Sequence, residues 1–204
     1  MSETLEERWV RFYKASEGTP AWPALVATLD RIEAEAPGAA GRYAVDLGCG
    51  AGRDTLELLR RGWRVLAIDK QPEAIEHIES AVPPEARARL EGRVAAFEDI
   101  ITLPQADLVN AAFALPFCRP EHFGALWAAI VAALPPGSRF VGQLFGDRDE
   151  YAGNPAMTFH TAAQVNELLA PFEIEHLKER EEDGKTRLGE PKHWHVFSIV
   201  ARKR

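Results

Sequence analysis

A glycine-rich segment that follows the first apolar run constrains the fold more than any other feature. Residues 45–54 read Val-Asp-Leu-Gly-Cys-Gly-Ala-Gly-Arg-Asp. The apolar run 43–47 predicts a buried strand, and the leucines among charged residues in 53–61 predict a helix that ends at Gly62. Glycines between a strand and a helix let the backbone turn sharply and approach a ligand closely. Because open α/β sheets bind ligands at the carboxyl ends of their strands, the segment predicts both a fold class and a ligand site.

Short apolar runs alternate with longer amphipathic stretches as far as residue 145. The predicted strands are 43–47, 64–68, 92–96, 106–111 and 139–145, and the predicted helices are 53–61, 72–81 and 120–134. This alternation is typical of βαβ units in a parallel sheet. Two more helices are predicted at 3–16 and 20–36, where they can cover the ligand end of the sheet.

The last third of the chain has a different pattern. A helix is predicted from Thr161 to about Ala170, a strand at 172–178 and a final strand at 195–201. A polar loop without a crossover joins the two strands, so they must pair antiparallel. The segment 173–192 has seven acidic and five basic residues, and we interpret it as a solvated hairpin loop. Its position alone supports the alternative, a flap near the ligand site.

An acidic residue at the end of the second predicted strand indicates the kind of ligand. Asp69 follows Gly50 by 19 residues, and such an acid can bind both hydroxyls of a ribose. The glycine spacing is GxGxG, with Arg53 where a dinucleotide site requires its third glycine. Asp46, just before the loop, would repel a pyrophosphate and favour a cationic ligand. S-adenosylmethionine (SAM) has a ribose, a sulfonium and an amino group but no phosphate, and its chemistry fits.

With these motifs, the sequence resembles the class I SAM-dependent methyltransferases. Residues 46–52 match the first motif of that family and residues 65–69 the second, while 98–104, 107–111 and 134–138 resemble later motifs. The resemblance implies a three-layer Rossmann-like α/β fold, with a seven-stranded, mostly parallel sheet in the order 3-2-1-4-5-7-6 and an antiparallel C-terminal hairpin. In size and motifs the chain is similar to the tellurite-resistance and thiopurine-type branch.

The resemblance also implies a set of cofactor contacts. The backbones of Gly48 and Gly50 would lie against the methionine portion, Asp69 at the ribose, Asp99 at the adenine, and Asn110 near the transferring methyl group. The full set of expected cofactor-binding residues is Asp46, Gly48, Gly50, Asp69, Lys70, Asp99, Ile100 and Asn110.

The sequence indicates less clearly which residues would bind the methyl acceptor. Trp9, Tyr13, Phe113 and Arg148 are candidate acceptor-side residues because they lie in the N-terminal helix or in loops at the carboxyl ends of strands. No catalytic residue is assigned, although His160, His193 and His195 are candidates for a base or an orienting group. Two other functions stay open: a SAM-binding sensor or non-catalytic partner, and a nicotinamide-dependent oxidoreductase.

Composition excludes several partners. The 24 Lys and Arg residues against 31 Asp and Glu give a net charge of −7, which argues against nucleic acid as a partner. The longest apolar run, residues 124–134, is too short to cross a bilayer, and the acidic N-terminus does not resemble a secretion signal. The two cysteines form no metal-binding pattern, so no metal is expected.

We expect a cytoplasmic monomer or homodimer that acts on a small molecule. It would be one domain, with a cap (1–36), a cofactor-binding core (43–145) and acceptor-side loops with the hairpin (146–204).

Overall fold

The computed structural model describes residues 11, 13–16 and 18–204. Residues 13–16 are helical. The helices that follow are α1 (Pro23–Glu35), α2 (Arg53–Arg60), α3 (Pro72–Ala81), α4 (Pro120–Ala133) and α5 (Ala162–Leu168). The strands are β1 (Tyr43–Leu47), β2 (Arg64–Asp69), β3 (Leu90–Val94), β4 (Leu108–Ala111), β5 (Arg139–Gly146), β6 (Phe159–His160), β7 (Phe172–Lys185) and β8 (Pro191–Lys203).

The strands form one sheet in the order β3-β2-β1-β4-β5-β8-β7. The pairs from β3 to β5 are parallel, whereas β8 pairs antiparallel with both β5 and β7. The short strand β6 pairs with the end of β5 through Phe145 and Gly146. Once β6 is set aside, the predicted seven-stranded order and the C-terminal hairpin are both confirmed.

Helices cover both faces of the sheet, and each face has its own apolar cluster. Leu25 of α1, Leu58 of α2 and Ile78 of α3 belong to one cluster, whereas Trp127 of α4 and Val165 of α5 belong to the other. The central strands are apolar on both sides because both of their faces are covered. Local sequence also sets the helix ends: a proline in the first turn begins α1, α3 and α4, and Thr161 forms a capping box with Gln164 at α5.

Two strands differ from the sequence-based bounds. The third strand lies at Leu90–Val94 rather than 92–96, at an edge of the sheet where most side chains are exposed. The seventh strand extends to Lys185, so residues 179–185 are paired strand and not a loop. Charged residues disfavour strands, but here the facing residues compensate, because His193 and His195 lie opposite Asp183 and Glu181.

The lengthened hairpin reaches past the rest of the sheet. Phe145 of β5 pairs with Val196, and residues 191–195 beyond it pair with β7 alone. These five residues extend about 15 Å beyond the carboxyl edge of the parallel strands. We call residues 181–195 the hairpin arm. Within the part of the chain that the structure describes, no helix is long and apolar enough to span a membrane.

Candidate functional site

The loop between β1 and α2 is held close to its neighbours by hydrogen bonds and small residues. The N–H groups of Gly48 and Cys49 both donate to the carbonyl of Ile68, over 2.8 and 3.1 Å. Gly48, Gly50 and Gly52 all have positive φ angles, of 66°, 52° and 79°. A Cβ on Gly48 would lie 2.5 Å from the Cβ of Ala114. Glycine is therefore required here both by conformation and by space.

Asp69, the last residue of β2, connects the loop to the N-terminal segment. One carboxylate oxygen accepts the N–H of Gly50 over 2.9 Å. The other accepts the N–H of Gln71 over 3.0 Å and the hydroxyl of Tyr13 over 3.2 Å. The Tyr13 ring also lies against Gly50, and burial together with the charge of Asp69 raises the pKa of Tyr13. The structure thus brings three predicted site residues, Gly50, Asp69 and Tyr13, into direct contact.

Beneath the loop lies a buried network of polar side chains. Asn110 donates from its Nδ2 to Asp46 over 2.8 Å and to Asp54 over 3.2 Å, and Thr55 donates to Asp46 over 2.6 Å. Burial and the charge of Asp54 raise the pKa of Asp46 to about 7. The Oδ1 atom of Asn110 is buried without a hydrogen-bond partner among the described residues. Asp46 and Asn110 thus support the loop from below, and their carboxylate surroundings disfavour a phosphate.

The segment after β3 lies beside Asp69. The N–H of Ala95 donates to the Asp69 carbonyl over 2.9 Å, and a 3-10 helix (Phe97–Asp99) follows. Asp99 is exposed, whereas Ile100 is buried. Phe97 lies next to Gly48, with its Cζ 3.4 Å from where a Cβ would be, and Lys70 is exposed next to Asp69. The residues expected at the adenine therefore lie along one edge with Asp69, the acid expected at the ribose. Phe97, which shares this edge, was not predicted from the sequence.

Three half-buried aromatic rings form a wall beyond the ends of β4 and β5. Phe113 has a φ of 53°, uncommon outside glycine, and its N–H donates to Oε1 of the buried Gln143 over 2.9 Å. Its ring centroid lies 5.1 Å from that of Trp22 and 6.2 Å from that of Trp194. We call Trp22, Phe113 and Trp194 the aromatic wall. Phe113 was predicted as an acceptor-side residue, whereas Trp22 was not. Trp9, another of the four predicted acceptor-side residues, lies outside the described residues.

The remaining candidates belong to a polar network at the base of the hairpin arm. His195 is fully buried: its Nδ1 accepts the backbone N–H of Arg148 over 3.1 Å, so its Nε2 donates to Glu179 over 2.8 Å. The Arg148 side chain also pairs with Glu179 and with Glu181. Both residues are thus engaged in holding the arm.

The other two histidines have different surroundings. His193 lies 2.7 Å from Asp183 and 3.4 Å from Glu181, and these carboxylates raise its pKa. His160 packs against Phe123 of α4, with ring centroids 4.6 Å apart. Burial lowers the pKa of His160 to about 4, so the ring is neutral. The three histidines therefore have separate sets of partners.

A buried ion pair fixes the arm to the segment that follows β5. Lys192 and Asp149 are both almost fully buried and hydrogen-bonded to each other. The ammonium group also lies 3.8 Å from the ring centroid of Tyr151 and 4.5 Å from that of Trp194. Asp149 accepts the N–H groups of Tyr151 and His195 as well. This set of contacts holds Trp194 in the aromatic wall.

Comparison with known proteins supports the family suggested by these features. Residues 44–137 match the model of a family described as a methyltransferase domain. The matched span contains the glycine loop, Asp69 and Asp99, in the sheet order described above. This match covers a little under half of the chain, so residues 44–137 are similar to a methyltransferase domain.

Individual proteins match this chain to different extents. It is 33% identical over 109 residues to the magnesium-protoporphyrin O-methyltransferase of Rhodobacter capsulatus, a match that covers 50% of this chain and 48% of that protein. The chain therefore spans about half the length of this curated relative. TehB from Haemophilus influenzae has a similar fold, with a TM-score of 0.76 at 16% identity over 95% of this chain and 66% of that one. The N-methyltransferase NodS from Bradyrhizobium japonicum WM9, in complex with S-adenosyl-L-homocysteine (SAH), has a TM-score of 0.65 at 16% identity, with coverages of 92% and 90%.

Proposed function

We propose that this chain binds SAM at the carboxyl edge of β1 and β2 and transfers its methyl group to a small-molecule acceptor. The observation that carries the proposal is the position of Asp69, whose carboxylate is held by the N–H of Gly50 at the open end of the glycine loop. A carboxylate beside a glycine loop is suited to a ribose diol. In this proposal the chain is a single domain that binds the cofactor on one side of the glycine loop and the acceptor on the other.

The residues around the loop fit SAM better than a dinucleotide. Asp46 and Asp54 are buried beneath the loop, and both bond to the same amide of Asn110. Such a pair of carboxylates would oppose the two negative charges of a pyrophosphate but not a sulfonium or an ammonium group. The Oδ1 atom of Asn110 adds another buried acceptor beside these carboxylates, without a hydrogen-bond partner among the described residues. The glycines leave room for the ligand against the backbone, since a Cβ on Gly50 would already lie 3.3 Å from the Tyr13 ring.

In the proposed mechanism this chain binds SAM and aligns its methyl group with the acceptor. When bound, SAM supplies an electrophilic methyl group on a sulfonium. Asp69 would orient the ribose, Asp99 and the backbone of Ile100 would contact the adenine, and the backbones of Gly48 and Gly50 would lie along the methionine portion. The aromatic wall would exclude water from the acceptor side. Alignment of this kind can contribute about 7–11 kcal/mol to an in-line displacement, and a nucleophile that is already deprotonated needs no general base.

The relatives support a small molecule as the acceptor. One curated relative is named for a porphyrin substrate, and NodS is an N-methyltransferase. The net charge of −7 makes nucleic acid a poor partner for this chain too. We therefore propose a small organic acceptor for this chain.

Calorimetric titration with SAH, SAM and NAD tests the cofactor assignment. We expect SAH to bind and, at about 100 times its dissociation constant, to stabilise the fold by about 2.7 kcal/mol, whereas NAD gives no stabilisation. Asp69→Asn removes a charge that ribose hydroxyls would use, so SAH affinity should fall by about tenfold or more. Glu173→Gln, an exposed acid on the outer strand β7, is the matched control and should bind SAH normally.

The outcomes separate the candidate functions. Stabilisation by NAD and not by SAH would overturn the cofactor assignment. If SAH binds normally to Asp69→Asn, the carboxylate is not part of the site. Formation of SAH from SAM with a panel of thiols, phenols and carboxylic acids measures turnover. Binding without turnover on any of them would instead support a SAM-dependent sensor.

A further inference from the structure

A groove lies between α4 and α5, on the face of the sheet opposite to α2. Its volume is about 650 Å³, and pockets that hold small molecules measure about 300–1,000 Å³. The residues that line it belong to α4, to α5 and to the positions that flank α5. Among these described residues, none belongs to the glycine loop or to the aromatic wall. The groove is therefore separate from the site that we propose for methyl transfer.

Aromatic and small side chains give the groove an apolar surface. Phe123 and Trp127 line it and are almost fully buried, with their ring planes 8° apart. The indole N–H of Trp127 donates to the carbonyl of Leu168 over 3.2 Å, and this hydrogen bond joins α4 to α5. Ala128 and Ala132, one turn apart on α4, are exposed lining residues whose short side chains leave the space open. The groove thus offers ring faces and methyl groups, and the polar atom of Trp127 is already bonded.

The imidazole of His160 is a buried polar group that lines the same groove. The residue is 6% exposed, and its ring packs against Phe123 with the ring centroids 4.6 Å apart. Its Nδ1 atom has no hydrogen-bond partner among the described residues. Buried polar side chains are normally hydrogen-bonded, so one without a partner at the wall of a groove points to a partner that comes from outside the chain.

The charges around the groove restrict what that partner can be. Burial lowers the pKa of His160 to about 4, so the ring is neutral at pH 7. A neutral imidazole has one N–H donor and one acceptor nitrogen, and a hydroxyl group can pair with either because it both donates and accepts. Among the described lining residues the charged one is Glu167, an exposed acid of α5. No lysine or arginine is among them, so the groove disfavours an anion.

We propose that the groove between α4 and α5 binds a neutral, mainly apolar molecule that presents a hydroxyl group to His160. The apolar body packs on the rings of Phe123 and Trp127 and beside the two alanines, while the hydroxyl supplies the hydrogen bond that the imidazole lacks. This second ligand site goes beyond the proposed function and does not require methyl transfer.

The test is an NMR titration of the full chain, with histidine labelled by ¹⁵N, against three probes that share one ring. The probes are p-cresol, toluene and p-toluate. We expect p-cresol to bind about fivefold or more tightly than toluene, because it gains one hydrogen bond, and p-toluate to bind most weakly. The ¹⁵N signals of one imidazole, identified by their absence from the His160→Phe spectrum, should shift as p-cresol is added.

Three variants show whether the groove is responsible. His160→Phe keeps a ring against Phe123 but removes both nitrogens, so p-cresol should lose its advantage over toluene. Ala128→Phe fills the groove from the exposed side of α4 and should weaken p-cresol and toluene by about tenfold. Ala125→Phe is the matched control, since Ala125 is exposed on the same helix but does not line the groove, and we expect less than about a twofold change.

Three results would overturn the second site. One is that p-cresol up to about 5 mM shifts no signal of His160, because binding would then be too weak for a specific site. Another is equal affinity for p-cresol and toluene in the unsubstituted chain. The third is an equal effect of Ala128→Phe and Ala125→Phe, which tests the site even if His160→Phe does not fold. SAH affinity is measured on the same samples, so a failure of the proposed function is seen separately.

Discussion

Replacing Gly48 with alanine tests how tightly the glycine loop is built into the sheet edge. The new Cβ would lie 2.5 Å from the Cβ of Ala114, and the φ of 66° would place an alanine in the left-handed region. The backbone conformation costs about 1–2 kcal/mol and the overpacking about 1–3 kcal/mol, so we expect a loss of about 2–5 kcal/mol of unfolding free energy. The fold should survive, since domains of this kind are stable by about 5–15 kcal/mol.

A second substitution separates the two contributions. Ala114→Gly removes the atom that clashes, and the next nearest atom to the new Cβ, Cζ of Phe97, is 3.4 Å away, an ordinary contact. Alone, Ala114→Gly should cost about 1–2 kcal/mol through the lost methyl group and the added backbone freedom. In the Gly48→Ala/Ala114→Gly double variant the overpacking is relieved and only the backbone strain remains. The double variant should therefore be more stable than the sum of the two single losses predicts, by about 1–3 kcal/mol.

Urea unfolding followed by circular dichroism measures all four proteins of this cycle. SAH affinity, measured on the same samples, should fall in Gly48→Ala and recover in part in the double variant. A coupling energy below about 0.5 kcal/mol would refute the reasoning, because it would mean that the two side chains do not meet.

Two further substitutions test the buried charges. Burial raises the pKa of Asp46 to about 7. Between about pH 4 and pH 7 the folded chain therefore holds a proton that the unfolded chain has lost. The contribution of this group to the unfolding free energy consequently falls as the pH rises. Asp46→Asn should therefore gain stability relative to the unmodified chain as the pH rises from about 4 to about 7 in urea titrations. Parallel pH profiles for the two proteins over this range would contradict this. Asp149→Ala leaves the Lys192 ammonium buried without its carboxylate, which should cost about 3–5 kcal/mol. In Asp149→Ala/Lys192→Met part of that loss should return, and purely additive losses from the two single variants would argue against a coupled pair.

Local sequence was sufficient to predict the part of the fold in which neighbouring residues decide the structure. The first two strands, the glycine turn and the helix that begins at Arg53 follow from apolar runs and glycines within a few residues of one another. Asp69 was predicted at the end of β2 because the strand pattern and the acid are adjacent in sequence. The same reasoning placed Tyr13 near the ligand end of the sheet, and the structure shows it bonded to Asp69.

Other features depend on contacts between distant parts of the chain. Strand β6 has two residues, too few for any periodicity, and exists because β5 extends beyond β4 and offers it an edge. The strand character of residues 179–185 comes from pairing with β8 and not from their own charged sequence. Similarly, Asn110 lies opposite Asp46 because β4 pairs with β1, and this register directs its amide to the buried carboxylates. No local pattern reveals such partners.

The contact between Lys192 and Asp149 has a consequence for how the proposed acceptor site can be altered. It fastens the arm to the segment after β5, while separate hydrogen bonds to β2 hold the glycine loop. The hairpin arm, which we propose borders the acceptor, and the glycine loop, which we propose holds the cofactor, are therefore anchored independently. Exchange of the turn at 186–190 would change the charge and shape of the arm without altering the hydrogen bonds that hold the glycine loop. The tip of the hairpin is accordingly a place where the sequence can be varied while the fold of the glycine loop is kept.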